Sequence, residues 1–137
     1  MKILVDTCVW SLALRRGSPS LDPFVIEFSE LVVESRVQLM GPIRQELLSG
    51  IKEQAQFERL KEQLRNFPDI PLDHSDYENA ARLFNLCRAN GIQGAGTDFL
   101  ICAVAERLKM PILTTDNDFK LYQKYSKLSL LKPRSLE

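Results

Sequence analysis

Neither sign of charge prevails in this chain of 137 residues, since Lys plus Arg number 18 and Asp plus Glu number 18. That balance excludes the global positive field by which a strongly basic domain holds nucleic acid, so any polyanion has to be held locally. Cysteine is sparse, and Cys8, Cys87 and Cys102 are odd in number and widely spaced. They offer neither a CxxC zinc half-site nor a disulfide framework, suit a reducing compartment, and read as small buried hydrophobes. The one histidine, His74, follows Asp73 at a turn into a helix and reads as a solvated turn residue rather than a general base. Long apolar runs are missing: the longest, Phe99 to Ala105, is far below the roughly twenty residues of a membrane helix. Asp6 interrupts the first apolar stretch, so the N-terminus lacks a signal-peptide pattern and a cytoplasmic protein without membrane contact is expected. Internal repeats, linkers and low-complexity segments are also missing.

What is there is the composition of an ordinary globular domain, 45% hydrophobic and 26% charged, long enough for one sizeable core. Ile3-Leu4-Val5 predicts a buried strand, followed by a helix through Trp10, Leu12, Ala13 and Leu14 up to Arg15-Arg16-Gly17. Asp22-Pro23 opens a second helix, with Phe24, Phe28, Leu31 and Val32 on one face. A strand over Val37 to Met40 is broken by Gly41-Pro42, and a short helix, Ile43 to Ser49, carries Glu46. Phe57, Leu60, Leu64 and Phe67 mark an amphipathic helix. The next is capped by Ser75 or Asp76, has Tyr77, Ala80, Ala81, Phe84 and Cys87 on one face, and ends at Asn90-Gly91.

Beyond the glycine-rich loop Gly91 to Gly96, Thr97 caps a helix that is apolar almost all round and is expected to pack on the sheet centre. A strand over Ile112 to Thr115, a short helix from Phe119 and a last strand over Leu128 to Leu131 complete the pattern. Strands alternating with helices imply an α/β fold with a central, mostly parallel sheet flanked by helices, a single domain over residues 1–137.

Ligands of open parallel sheets bind outside the carboxyl ends of the strands. There the sequence places Asp6 after the first strand and Asp116 and Asp118 after a late one, with Asp98 at a helix start and Glu46 on a helix. In extended chain Thr114, Asp116 and Asp118 would form one row into a single site. Each acid taken singly has a plain role at a helix start or turn. Together, converging carboxylates repel one another unless a divalent cation neutralises them, and an all-oxygen set favours Mg²⁺ or Mn²⁺ over zinc.

Four segments then resemble the PIN-domain family in order and spacing: Ile3-Leu4-Val5-Asp6-Thr7, Glu46-Leu47-Leu48-Ser49-Gly50, Thr97-Asp98-Phe99-Leu100-Ile101-Cys102-Ala103 and Leu113-Thr114-Thr115-Asp116-Asn117-Asp118-Phe119. The likeness covers nearly the whole chain and is greatest to VapC-type toxin ribonucleases. It implies a PIN-like domain in which the acids matching Asp6, Glu46, Asp98 and Asp116 gather around one or two Mg²⁺ or Mn²⁺ ions, with Asp118 close by. Asp6, Asp98, Asp116 and Asp118 are then the expected metal ligands, and all five acids are catalytic. The implied activity is metal-assisted hydrolysis of RNA phosphodiesters by the toxin of a type II toxin–antitoxin pair. The implied partners are an RNA substrate and a cognate antitoxin protein, in a homodimer or a toxin–antitoxin hetero-oligomer. Thr7 and Thr114 would orient ligands or bind phosphate. Arg15 and Arg16, with Arg44 and Lys52, are candidates to rim the pocket and hold RNA phosphates.

Other sharp readings fit less well. A haloacid-dehalogenase-type phosphatase needs a second aspartate where Cys8 stands, and a cysteine phosphatase needs one residue fewer between Cys8 and Arg15. Phe99 replaces the third glycine of a dinucleotide loop. A receiver-like Mg²⁺-binding signalling domain lacks its adjacent acidic pair, and a non-catalytic PIN-fold binding module has no evident need for five acids.

Overall fold

The computed structural model describes residues 1–15 and 21–137. At its centre lies β1 (Ile3–Val5), every residue of which is buried. β2 (Val37–Gln38) and β3 (Ile112–Leu113) flank it, both parallel, in the order β2-β1-β3. Ile3 stands opposite Val37, and Leu4 opposite Ile112. This register decides which chain ends meet, because Asp6 leaves β1 with its N–H donating to the Leu113 carbonyl at 2.9 Å. The first acid therefore emerges beside the end of β3. Single parallel bridges, Leu39 with Asp69 and Ile112 with Leu130, continue the sheet on either side.

The outer strands are shorter than the apolar runs suggested. Met40 already caps α3 (Gly41–Leu48), and Pro42 in its first turn has no N–H to give a neighbouring strand. After Leu113 the N–H of Thr115 turns to the Cys8 sulfur at 3.4 Å and that of Asp116 to the Thr114 hydroxyl at 3.0 Å, so the ladder ends there. The expected last strand is reduced to its bridge at Leu130, because only Ile112 is available to pair with it.

α1 (Thr7–Leu14) and α2 (Pro23–Val33) follow the sequence pattern, with the Asp22 carboxylate accepting from the N–H groups of Phe24 and Val25. Arg16 and Gly17, the expected end of the first helix, lie outside the described residues. Trp10, 1% exposed, packs edge-on against Phe28 of α2 at 4.9 Å and Phe67 at 5.0 Å and donates its indole N–H to the Val5 carbonyl. One aromatic thereby fixes α1 against the strand that carries Asp6. On α2, the buried Glu27 is paired with Arg134 at 2.9 Å, and Arg134 also reaches Glu34 at 2.9 Å. Burial works against the Glu27 carboxylate, but the hydrogen bonds and charge of Arg134 hold it below its ordinary range.

α4 (Gln54–Leu64) precedes the pair α5 (His74–Ala89) and α6 (Gly96–Leu108). Asp73, not Ser75 or Asp76, caps α5: it accepts from the N–H groups of Ser75 and Asp76 while Asp76 accepts from Asp73 N–H, a reciprocal box. The buried stripe is Asp76, Ala80, Leu83 and Cys87, rotated from the expected one, and Tyr77 stays exposed. The rotation brings Asp76 onto Arg107 of α6 at 2.7 Å. α6 starts at Gly96 with Ala95, not Thr97, at its cap, and buries Phe99 and the run Ile101 to Ala105 as its all-round apolar character requires. Among the described residues, no helix is long and apolar enough to cross a membrane.

Candidate active site

The carboxyl end of the sheet gathers the acids through three elements. Asp6 sits at the N-cap of α1 and is 5% exposed. One of its oxygens, Oδ1, accepts the Thr7 N–H at 2.8 Å. The other, Oδ2, accepts the Thr114 hydroxyl at 2.7 Å and the Cys8 thiol at 3.4 Å. Thr114 in turn accepts the Asp116 N–H, so one hydroxyl ties the acid after β1 to the acid after β3. Asp116 Oδ1 then accepts the N–H of Asp118, the exposed first residue of α7 (Asp118–Tyr122). The straight row of Thr114, Asp116 and Asp118 does not form, because β3 ends at Leu113 and the chain turns into a helix.

Asp98 faces this group from the first turn of α6, half-buried. Its Oδ2 accepts the Tyr122 hydroxyl at 3.2 Å and the Ala95 N–H at 3.4 Å. Burial, and then the charge of Asp6, push its carboxyl up to about 6; Asp116 adds to the rise, while the Ala95 and Tyr122 donors oppose it. Three acids thus share one electrostatic environment, and none of them has an ion-pair partner among the described residues. Glu46 stands apart, exposed on α3 and reached by the Thr7 hydroxyl at 3.4 Å.

The donors are hard carboxylate oxygens, the chemistry a Mg²⁺ or Mn²⁺ ion takes. Among the described residues, however, no three His, Cys, Asp or Glu side chains stand close enough to hold one ion together. The donor chemistry fits a divalent cation, and the spacing is open.

The basic candidates divide. Arg44 is turned away from the acids: Nε bonds Asp69 at 3.1 and 3.2 Å, Nη1 the Leu64 carbonyl at 3.1 Å and Nη2 the Phe67 carbonyl at 2.5 Å. Its guanidinium ties α3 to the turn after α4, which corrects its reading as a phosphate ligand. Arg15 is exposed just past α1, Lys52 is exposed, and Arg16 lies outside the described residues.

Three features escaped the sequence reading. Cys8 is a polar neighbour of Asp6 and Thr114 rather than an inert hydrophobe. Tyr122 is fully buried with its hydroxyl on Asp98. Burial and then the Asp98 charge push that phenol above its ordinary value, so it remains a donor. Gly94, in the glycine-rich loop, leaves room for the Tyr122 hydroxyl and the Phe99 ring. Helical spacing in so short a segment as α7 carries no sign that a phenol is needed.

The raised Asp98 carboxyl sets an expectation for stability without metal. Above pH 6 the folded protein carries a charge there that the unfolded chain bears more easily. The penalty is absent below about pH 4, where both states are protonated, and grows as pH rises toward 6. Asp98→Asn should therefore stabilise the protein in EDTA at pH 7.5 by about 1 kcal/mol after allowance for solvent screening, and the gain should vanish near pH 4. Thermal unfolding at the two pH values checks this, and destabilisation at pH 7.5 would make Asp98 a plain structural residue.

The sequence pattern of the PIN domain family matches residues 3–125. The chain belongs to the PIN-domain family. No curated protein sequence matches it. Among solved structures, FitAcB from Neisseria gonorrhoeae is 22% identical with a TM-score of 0.74, the match covering 96% of this chain and 97% of that one. VapBC2 from Rickettsia felis, solved bound to a DNA fragment from its promoter, is 17% identical with a TM-score of 0.74, over 96% and 98% of the two chains. VapBC-5 from Mycobacterium tuberculosis, described as a member of the VapBC family of toxin-antitoxin systems, is 20% identical with a TM-score of 0.66, again over 96% and 98%. These likenesses extend over the whole PIN domain, so its acids sit on a fold shared end to end with those proteins.

Proposed function

We propose that this PIN domain is a metal-dependent endoribonuclease, hydrolysing RNA phosphodiester bonds as the toxin of a type II toxin–antitoxin pair. The observation that carries the reading is the exposure of Asp98 to the charges of Asp6 and Asp116, with no ion-pair partner for any of the three among the described residues. Carboxylates held this way favour a cation. Asp6, Asp98, Asp116 and Asp118 would hold Mg²⁺, or Mn²⁺ in its place, and the bound ion would supply Lewis-acid activation of the phosphodiester and neutralise its charge. Thr114 keeps Asp6 and Asp116 in register through its single hydroxyl. Glu46, exposed and reached by the Thr7 hydroxyl, would serve as the catalytic carboxylate that takes a proton from an attacking water. Exposed Arg15 and Lys52 are the described basic candidates left to meet the RNA backbone, with Arg16 beside Arg15 in sequence.

A cognate antitoxin is the proposed partner, supported by neighbours whose descriptions name VapBC and toxin-antitoxin systems. An assembly as a homodimer or toxin–antitoxin hetero-oligomer goes with it. The open spacing of the acids favours one second reading, a PIN-fold binding module without catalysis. Cleavage of a single-stranded RNA by purified protein separates the two. The nuclease reading expects cleavage that EDTA stops and added Mg²⁺ or Mn²⁺ restores; RNA left intact under every cation condition would favour the binding module.

A further inference from the structure

Tyr122 has no exposed surface and lies against Phe99 at 4.9 Å and Phe119 at 5.1 Å between ring centroids. Such a pocket suits a phenylalanine, and a buried phenol is tolerated only with a partner for its hydroxyl. The partners here are Asp98 Oδ2 at 3.2 Å and, more distantly, the Gln93 carbonyl at 3.5 Å. Room for the hydroxyl comes from Gly94, where a Cβ would collide with that oxygen and come within 2.9 Å of the Phe99 ring. The backbone of Gly94 is not left-handed, so the space, and not the conformation, is what asks for glycine.

Both donors to Asp98, the Tyr122 hydroxyl and the Ala95 N–H, reach the same oxygen. Its Oδ1 has no hydrogen bond among the described residues. A carboxylate with one oxygen anchored twice is fixed in plane, with the second oxygen left to a ligand. We propose that Tyr122, given its space by Gly94, is the positioning residue of Asp98, orienting that carboxylate for the cation. The proposal rests on the metal reading above. Partners that orient a ligand from behind typically change metal affinity by about 10- to 100-fold when removed.

The test is Mn²⁺ titration of the purified protein, read by the loss of the free-ion EPR signal, for the wild type, Tyr122→Phe, Gly94→Ala and Asp98→Asn. The expected result is Mn²⁺ binding by the wild type, loss in Asp98→Asn, and about 10-fold weaker binding in Tyr122→Phe with an unchanged circular dichroism spectrum. Gly94→Ala should weaken binding in the same direction, and saturating Mn²⁺ should recover much of the RNA cleavage that Tyr122→Phe loses at low Mn²⁺. A purely structural tyrosine would lower the melting temperature in EDTA and leave Mn²⁺ affinity alone. Affinity in Tyr122→Phe within twofold of the wild type overturns the proposal. A wild type that binds no Mn²⁺ overturns the metal reading itself, an outcome visible without any variant.

Discussion

Replacing Asp6, Asp98 or Asp116 by Asn should lower RNA cleavage by about three orders of magnitude each, the result of losing about 4 kcal/mol of charge stabilisation where 1.4 kcal/mol is tenfold. The substitution is nearly isosteric, so folding is not the issue. An Asn at position 6 can still accept the Thr7 N–H through its amide oxygen, and the Thr114 hydroxyl can turn to accept from the amide NH₂. At position 98 the amide oxygen can keep the Ala95 and Tyr122 donors. What the change removes is one of the three charges that meet at Asp98. Glu46→Gln should also be severe under the same reading, whereas Asp118→Asn should be milder, because the family resemblance sets Asp118 close by the four acids that gather around the ion rather than among them. Initial rates on one RNA at saturating Mg²⁺ decide the matter, and wild-type rates in all three Asn variants would remove the proposed site.

Interactions local in sequence could be read from it. The Ile3-Leu4-Val5 run is the central strand, Asp22-Pro23 opens α2, and the all-apolar stretch after Asp98 is the helix buried most completely. Asp6, Asp98 and Asp116 were legible in the same way, since each follows a strand or opens a helix, whereas Glu46 lies within α3 and stands apart from them. What stayed hidden depends on partners far along the chain. The face α5 buries is set by Asp76 meeting Arg107, 31 residues away, and the role of Tyr122 by Asp98, 24 residues away. Arg44 reads as a free cation until the Leu64 and Phe67 carbonyls and Asp69 are seen around it. The row of acids after β3 failed for a related reason: an extended chain was assumed where side-chain acceptors, the Cys8 sulfur and the Thr114 hydroxyl, draw the backbone into a turn.

Arg107→Ala should cost about 3 kcal/mol of stability, roughly 10 °C in melting temperature for a domain of this size. Asp76 has no exposed surface, and both its oxygens are taken by Arg107, from Nε at 2.7 Å and from Nη2 at 2.9 Å. This bidentate pair is the polar link of the α5–α6 packing, and Nη2 also reaches the Pro71 carbonyl at 3.3 Å. Removing the arginine leaves a carboxylate in the interior with only the Asp73 N–H, at 3.1 Å, to bond it. The penalty comes from the stranded charge more than from the lost attraction. The reverse change is therefore expected to be gentler, because Arg107 is about one-third exposed and can return to water when Asp76 becomes Asn. The double variant Asp76→Asn with Arg107→Ala should recover part of the loss, a coupling that a simple sum of the single changes would miss. Denaturant unfolding of the four proteins measures it; an Arg107→Ala variant within 0.5 kcal/mol of the wild type, a margin ordinary for surface changes, would show that Asp76 finds other solvation. Arg107 lies near the far end of α6 from Asp98, so RNA cleavage by folded Arg107→Ala below its melting range should stay at the wild-type rate.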